Sequence, residues 1–260
     1  MSSVTHQKHT VNETGSRKEA RIPVMEIFGP TVQGEGMVIG QKTMFVRTAG
    51  CDYRCSWCDS AFTWDGSSKD QIQMITPEDI WEELRRVGGT RFSHVTISGG
   101  NPALLASLGG LVDLLRENGI RTAVETQGSR WQPWLADIDE VTVSPKPPSS
   151  GMDTDWAVLD DLIGRLVAGP VERSYSLKIV IFDETDLDYA RRVHARYPGT
   201  DLFLQTGNPD VTSADTPDLA SSLLARYEWL IDQVSASDDL NDVRVLPQLH
   251  TLVWGNKRGV

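Results

Sequence analysis

The chain has 260 residues and a formal net charge of −11 at pH 7, with 39% hydrophobic and 23% charged residues. This length fits one large domain or two small ones with a substantial core, and the hydrophobic content argues against disorder for most of the chain. The acidic charge argues against tight binding to nucleic acid, and without an apolar run of roughly 18 residues we expect no membrane span.

The predicted elements follow a polar N-terminal stretch. Residues 1–22 show neither a periodic apolar pattern nor the core of a secretory signal, so we predict a flexible extension there and one domain over residues 23–260. Strands are predicted at 44–47, 95–97, 121–125, 141–143, 177–182, 202–204 and 243–246. Helices are predicted at 77–87, 103–118, 156–167, 187–197 and 219–234. The alternation predicts an α/β fold, a partial (open) β/α barrel with a mostly parallel sheet.

Polar or glycine-rich residues follow five of the predicted strands. Chemistry in a parallel sheet lies at the carboxyl ends of the strands, where these segments would meet. The sequence therefore predicts an active-site rim at this edge of the sheet. Its segments are the loop 51–60, residues 98–102, residues 125–128, residues 144–146 and Gln205.

All three cysteines lie within the loop 51–60, spaced Cys51-x3-Cys55-x2-Cys58. An odd number of clustered thiols indicates a metal centre in a reducing, cytoplasmic setting, because a disulfide framework spreads and pairs its cysteines. Three thiolates can ligate three irons of a cubane cluster and leave the fourth iron open to a substrate or cofactor, whereas electron-transfer clusters usually have four cysteines.

Spacing alone leaves two other interpretations of the cysteine loop open. A structural zinc ion could take three cysteines and a histidine, for which His94 or His250 would have to approach in space. Two cysteines could instead form a redox pair with the third as a spare. Trp57, directly before the last cysteine, would shield a cluster from solvent or simply pack on the core.

Several segments together carry a resemblance to a known family. They are EIFGPTVQGEG at 26–36, FVR at 45–47, CDS at 58–60, SGGNP at 98–102, ETQG at 125–128, SPKP at 144–147, PQLH at 247–250 and WGNKRGV at 254–260. With the cysteine spacing and the aromatic residue before the third cysteine, the chain from about Val24 to Val260 resembles the radical S-adenosylmethionine superfamily. Within it, the chain is similar to the 7-carboxy-7-deazaguanine synthase family of queuosine biosynthesis.

The resemblance implies a barrel of the radical S-adenosylmethionine type that holds a 4Fe–4S cluster, S-adenosylmethionine and Mg²⁺. Gly99 and Gly100 would let the backbone approach the cofactor, and Lys146 would offer a charge to its carboxylate. Asn101 stands where the superfamily typically has Glu. The implied cofactor-binding residues are Cys51, Cys55, Trp57, Cys58, Asp59, Gly99, Gly100, Asn101, Glu125, Ser144, Pro145, Lys146 and Gln205.

The implied reaction converts 6-carboxy-5,6,7,8-tetrahydropterin to 7-carboxy-7-deazaguanine with loss of ammonia. An arginine can clamp a carboxylate with two parallel hydrogen bonds, and a Glu side chain can accept from ring N–H groups. The implied substrate-binding residues are Val32, Gln33, Gly34, Glu35, Arg47, Ser98, His250 and Val260. The implied catalytic residues are Glu35, Glu125 and His250, and the implied magnesium ligand is Ser60.

The resemblance also implies partners for the protein, and two alternative functions remain open. It implies an electron donor such as flavodoxin, and a homodimer. An activase for a glycyl-radical enzyme can share the cysteine spacing, but it would need a groove for a protein loop. A non-enzymatic zinc-binding module is the alternative from a different functional class.

Overall fold

The computed structural model describes residues 20–169, 174–213 and 216–260. Most of the predicted extension over residues 1–22 lies outside the described residues. Its last residue, Ile22, is fully buried in the first strand, so that strand begins one residue before the predicted domain boundary.

Nine strands form one sheet within the described residues, in the order β3-β1-β2-β4-β5-β6-β7-β8-β9. The strand β1 pairs antiparallel with β2 and β3, and every pair from β2–β4 to β8–β9 is parallel. The strands are β1 Ile22–Val32, β2 Lys42–Thr48, β3 Gln73–Ile75, β4 His94–Gly99, β5 Arg121–Thr126, β6 Glu140–Val143, β7 Ser174–Ile181, β8 Leu202–Thr206 and β9 Arg244–Leu246. The sheet, with β3 and β9 at its edges, confirms the predicted partial β/α barrel.

The helices of the described residues accompany the parallel strands. They are α1 Pro77–Gly88, α2 Leu108–Glu117, α3 Trp156–Val167, α4 Glu184–Arg196, α5 Thr216–Ser235 and α6 Leu249–Trp254. The start of α1 is as predicted: the Thr76 hydroxyl accepts a hydrogen bond from the Asp79 amide at 3.1 Å, and the Asp79 carboxylate accepts one from the Thr76 amide. Such a reciprocal cap satisfies amides that a helix leaves unpaired. Ile80 and Leu84 then bury the inner face of the helix.

One helix starts later than predicted. The pattern predicts a helix from residue 103, but a short 3-10 helix over Pro102–Leu104 comes first and α2 begins at Leu108. The Asn101 side chain accepts a hydrogen bond from the Ala103 amide, which caps the 3-10 turn and uses the residues that would have opened the helix. The strands β1 and β3 and the helix α6 were not predicted.

Alternation along the strands divides the side chains between two environments. Val95 and Ile97 of β4 pack in the hydrophobic core beneath the helices. The intervening residues, Thr96 and Ser98, face the interior of the barrel, since successive side chains of a strand point to opposite faces. The register aligns Arg47 with Ser98, so the inward rows of neighbouring strands are polar near the carboxyl edge.

No helix within the described part of the chain combines the length and the apolar character needed to cross a membrane.

Candidate active site

A cleft opens at the carboxyl ends of the parallel strands, where the rim was predicted. We call it the cysteine cleft. It brings together predicted site residues from the cysteine loop and from the ends of β4, β5 and β6. Those lining it are Cys51, Cys55, Trp57, Cys58, Asp59, Ser60, Gly99, Gly100, Glu125 and Lys146.

Hydrogen bonds from neighbouring loops hold the cysteine loop in place. The Ser56 amide donates to the Ser150 carbonyl at 3.0 Å, and the Trp57 indole donates to the Ser149 hydroxyl at 3.0 Å. The Trp57 ring also packs against the Phe182 ring, with centroids 5.2 Å apart. The loop is therefore fixed against the segment after β6 and the end of β7.

The carboxylate of Asp52 ties the cysteine loop to β4 and β5. It accepts hydrogen bonds from Gln127 and Ser129 at 2.6 Å and from the Asn101 amide at 3.0 Å. The Asn101 side chain also donates to Ser129 and accepts from Thr126 and Ala103. These bonds use every donor and acceptor of the amide. The Asn101 backbone is bonded as well, since its amide donates to the Gly50 carbonyl and its carbonyl accepts from the Leu104 amide. Its contact with a cofactor stays a prediction.

The three sulfurs fit a cluster better than a single zinc ion. N–H groups point at two of them: Gln127 Nε2 lies 3.5 Å from the Cys51 sulfur, and the Trp64 indole nitrogen lies 3.5 Å from the Cys58 sulfur. Zinc bonds of about 2.3 Å would bring ligand sulfurs within roughly 4 Å of each other. Among the described residues, the one group of three candidate ligand atoms within 4.8 Å of one another contains no cysteine.

The three thiols are each partly buried. Burial raises the pKa of Cys51 and Cys58, and raises the pKa of Cys55 to about 11. Neighbouring thiols add to the rise in pKa at Cys51 and Cys55, and the Asp59 carboxylate adds to it at Cys58. Three ionised sulfurs in this loop therefore require a cationic centre, which is what iron in a cluster supplies.

The glycine turn after β4 packs directly on the cysteine loop. Gly99 has φ of 141°, a conformation that other residues rarely adopt. A Cβ on Gly100 would overlap the carbonyl group of Gly50 and come within 2.8 Å of the Cys51 Cβ. Gly100 thus lets the turn approach the cysteine loop, whereas a Cβ on Gly99 would overlap the Thr48 backbone of β2. Both glycines line the cleft, where a bound cofactor would meet backbone atoms.

We expect Gly100→Ala to lower the free energy of unfolding by about 1–3 kcal/mol or more, because the added methyl group overlaps backbone that cannot move freely. Thermal unfolding followed by circular dichroism measures the effect. Gly109→Ala is the matched control, since the nearest atom to its Cβ would be 3.6 Å away and alanine favours the helix α2. An equal midpoint for the two variants would contradict the packing argument.

Of the three predicted residues after β6, one lines the cleft and two are buried. Lys146 lines the cleft, and its ammonium donates a hydrogen bond to the Ser144 hydroxyl at 3.0 Å. Its nitrogen lies 6.0 Å from the centroid of the Trp57 ring. Ser144 and Pro145 are buried behind it.

A buried ion network, which sequence reasoning missed in part, joins two of the predicted carboxylates. The Lys178 ammonium lies 2.5 Å from Glu35 and 2.5 Å from Glu125. Gln248 donates to Glu35 at 3.0 Å, and a ring nitrogen of His250 lies 3.9 Å from Glu35. Lys178 and Gln248 were not predicted. The available signal was a lysine at an inward position of the apolar run 177–182.

The charges in this network hold one another ionised. Burial opposes ionisation of Glu35, but Lys178 and His250 outweigh it and keep the pKa of Glu35 well below its usual range. Burial likewise opposes the charge on Lys178, and Glu125 and Glu35 outweigh it, so the pKa of Lys178 is raised.

A second cavity adjoins the cysteine cleft, because Asp59 and Ser60 line both. We call it the tail cavity. Its walls include the predicted substrate residues Arg47, His250 and Val260. Arg47 donates through Nε to Glu26 at 2.6 Å.

Contacts of the C-terminal segment fix one wall of the tail cavity. Arg258 donates to Glu26 at 3.0 Å, and its guanidinium lies 3.6 Å from the centroid of the Phe62 ring. Glu26 therefore links Arg47 to the last turn of the chain, which places Val260 beside the same cavity.

Three side chains beside the two cavities form a candidate cation site. Ligand atoms of Glu35, Asp59 and His250 lie within 4.8 Å of one another. Ser60, the predicted magnesium ligand, donates to the Asp59 carboxylate at 2.9 Å. Oxygen ligands of this kind suit Mg²⁺, which commonly takes one or two carboxylates and keeps several waters.

Other predicted residues do not line the cysteine cleft. Gln33 is buried, and its side-chain oxygen accepts from the Gly34 amide at 2.7 Å. Val32, the last residue of β1, directly precedes Gln33. Ser98 and Gln205 lie on inward positions of β4 and β8, and their side-chain polar atoms are buried without partners in the described structure. The roles predicted for these residues stay predictions.

Comparison with known proteins places the chain among named relatives. Residues 45–145 match the family model described as the Radical SAM superfamily. The chain is 62% identical over 241 residues to a 7-carboxy-7-deazaguanine synthase of Bacillus cereus, covering 93% of this chain and 100% of the relative. It is 60% identical over 239 residues to the synthase of Bacillus subtilis, covering 92% of this chain and 98% of that relative. The solved structure of QueE from Escherichia coli has a TM-score of 0.64 at 23% identity, over 93% of this chain and 100% of that one.

Proposed function

Because the chain belongs to the 7-carboxy-7-deazaguanine synthase family of radical S-adenosylmethionine enzymes, we propose that it converts 6-carboxy-5,6,7,8-tetrahydropterin to 7-carboxy-7-deazaguanine with loss of ammonia. The observation that carries the proposal is identity of 62% along the whole length of a relative of that name. The glycyl-radical activase and the zinc-binding module are not favoured by these relatives.

The residues of the cysteine cleft fit the cofactors of this family. Cys51, Cys55 and Cys58 would hold a 4Fe–4S cluster, and the glycine turn with Lys146 would bind S-adenosylmethionine beside it. When bound, the cluster and S-adenosylmethionine together supply one-electron chemistry that removes a hydrogen atom from the substrate. The protein binds the reactants, orients them and excludes water.

The tail cavity suits the substrate, a flat heterocycle with a carboxylate. Glu26 occupies only Nε of Arg47, and no described residue bonds its Nη atoms, so these two atoms would clamp the carboxylate. Glu125, on the cleft wall, can accept hydrogen bonds from N–H groups of the ring. Mg²⁺ held by Ser60 and Asp59 would act as a template for substrate oxygens. Val260 also lines this cavity, and its terminal carboxylate would contact the substrate.

Partners and location follow from the same family resemblance. We include in the proposal a one-electron donor such as flavodoxin, which reduces the cluster, and a homodimer. A cytoplasmic location is consistent with three thiols that must stay reduced to bind iron.

We expect Trp64→Phe and Gln127→Leu each to lower the reduction potential of the cluster by tens of millivolts. Each removes an N–H group directed at a cluster sulfur, and hydrogen bonds to the sulfurs raise the potential. A bond worth roughly 1 kcal/mol corresponds to a shift of this size for one electron. A redox titration of the reconstituted protein, followed by electron paramagnetic resonance, measures it. Trp81→Phe is the control, because that ring packs on Phe92 instead. Potentials equal to the control would overturn the role of these donors.

The proposed function is tested by anaerobic reconstitution followed by metal, sulfide and substrate analysis. We expect roughly four irons and four sulfides per chain, and consumption of the pterin that requires S-adenosylmethionine and a reductant. Bound zinc without sulfide would refute the radical mechanism. A complete cluster that cleaves S-adenosylmethionine without consuming the pterin would keep the superfamily and reject the substrate.

A further inference from the structure

The ammonium of Lys178 is a buried charge at the floor of the cysteine cleft. Its side chain is 1% exposed, and it comes from the middle of β7. A lysine is rarely fully buried unless it is paired, because removing its charge from water costs several kcal/mol. Here two carboxylates from different elements surround it, Glu35 after β1 and Glu125 at the end of β5. The fold therefore places this charge between them.

The two carboxylates are used differently. Both oxygens of Glu35 have partners within the protein, since Lys178 contacts Oε2 and Gln248 donates to Oε1. Glu35 does not line the cysteine cleft, whereas Glu125 does, with 26% of its side chain exposed. Lys178 contacts Oε1 of Glu125, and the other oxygen has no hydrogen-bond partner among the described residues. One oxygen of Glu125 is thus held and the other is available to the cleft.

The surrounding charges support a fixed arrangement. His250 of α6 lies 3.9 Å from Glu35, and Asp59 of the cysteine loop lies within 4.8 Å of both. Lys146 also lines the cleft. Without Lys178, Glu35 and Glu125 would be two partly buried carboxylates with no cation between them. Like charges so placed repel, so one carboxylate would move away or take up a proton.

We propose that Lys178 is a positioning residue, which holds Glu125 so that the free oxygen of Glu125 faces the substrate ring. Glu35 balances the charge of Lys178 from the other side. This inference rests on the proposed function. It assigns Glu35 a role toward Lys178 in place of direct contact with the substrate. Glu125 then accepts from ring N–H groups, and Lys178 acts through it.

The test compares Lys178→Met, Lys178→Arg and the double variant Lys178→Met/Glu35→Gln with the unaltered protein. Each is reconstituted, and cluster content, S-adenosylmethionine cleavage without substrate, kcat and KM for the pterin are measured. We expect Lys178→Met to lower kcat/KM about a hundredfold, mainly through KM, while cluster content is kept. The double variant should recover about tenfold of that loss, because Glu125 no longer faces a second uncompensated carboxylate.

Three results would overturn the positioning role. The first is that Lys178→Met turns over the pterin as fast as the unaltered protein, and the second is that the double variant has no higher kcat/KM than Lys178→Met. The third is that Lys178→Met lowers kcat alone and leaves KM unchanged. If Lys178→Met does not keep its cluster, Lys178→Arg becomes the deciding variant. Because arginine keeps the charge, the positioning role predicts kcat/KM within about tenfold of the unaltered protein. A hundredfold loss in Lys178→Arg would contradict the role. Absence of pterin turnover in the unaltered protein would instead refute the proposed function.

Discussion

Cys55→Ala is expected to abolish both cluster binding and cleavage of S-adenosylmethionine. Cys55 supplies one of three thiols in a loop that offers no fourth cysteine, because the chain has three in total. Two thiolates cannot hold three irons of a cubane, so the cluster is lost and all chemistry that depends on it stops. Iron and sulfide content, the visible absorbance of the cluster and the yield of 5′-deoxyadenosine measure the effect. Turnover is expected to fall below detection.

The matched control for the cysteine variant is Ser56→Ala. Ser56 is adjacent in the loop, and its hydroxyl donates to the Ser149 carbonyl at 2.8 Å, but it offers no sulfur. We expect this variant to keep its iron and sulfide with at most a small loss of stability. Full cluster content in Cys55→Ala would show that Cys55 is not a ligand.

Arg47→Ala is expected to raise KM for the pterin roughly a hundredfold while the cluster and substrate-independent cleavage of S-adenosylmethionine are retained. A hydrogen bond to a charged group is worth about 1.5–3 kcal/mol, so losing a two-pronged clamp on the carboxylate costs at least this factor. Steady-state kinetics over a range of pterin concentrations measure it. Arg47→Lys should be intermediate, because it keeps the charge but lacks the planar pair of donors.

The control for Arg47 is Arg121→Ala. Arg121 also pairs with a Glu, Glu140, but at the start of β5 and thus at the opposite end of the strands from the cleft. Its loss should leave KM unchanged. A normal KM in Arg47→Ala would remove Arg47 from the substrate site.

Local patterns made much of the site predictable. The spacing of Cys51, Cys55 and Cys58 is a property of one loop, and Gly99 and Gly100 follow a strand that its apolar residues identify. Because parallel strands present their carboxyl ends at one edge, the segments after β2, β4, β5 and β6 could be placed together before their contacts were known. The structure brings these segments to one cleft.

Long-range pairing accounts for most of what the sequence did not reveal. Lys178 meets Glu35 across 143 positions and Gln248 meets Glu35 across 213, and no local pattern encodes such contacts. The one hint was a charged residue inside an apolar strand. Asn101 illustrates the same limit: its position after the glycines suggested a cofactor contact, whereas its four hydrogen bonds join three different loops.

The mass of the product shows whether this chain makes 7-carboxy-7-deazaguanine. The reconstituted, reduced protein is incubated without oxygen with S-adenosylmethionine, Mg²⁺ and 6-carboxy-5,6,7,8-tetrahydropterin, and the mixture is analysed by mass spectrometry. We predict a product lighter than the substrate by one ammonia, which forms only when S-adenosylmethionine is present and not with Cys55→Ala. Unchanged substrate in the presence of an intact cluster would show that the chain does not catalyse this reaction.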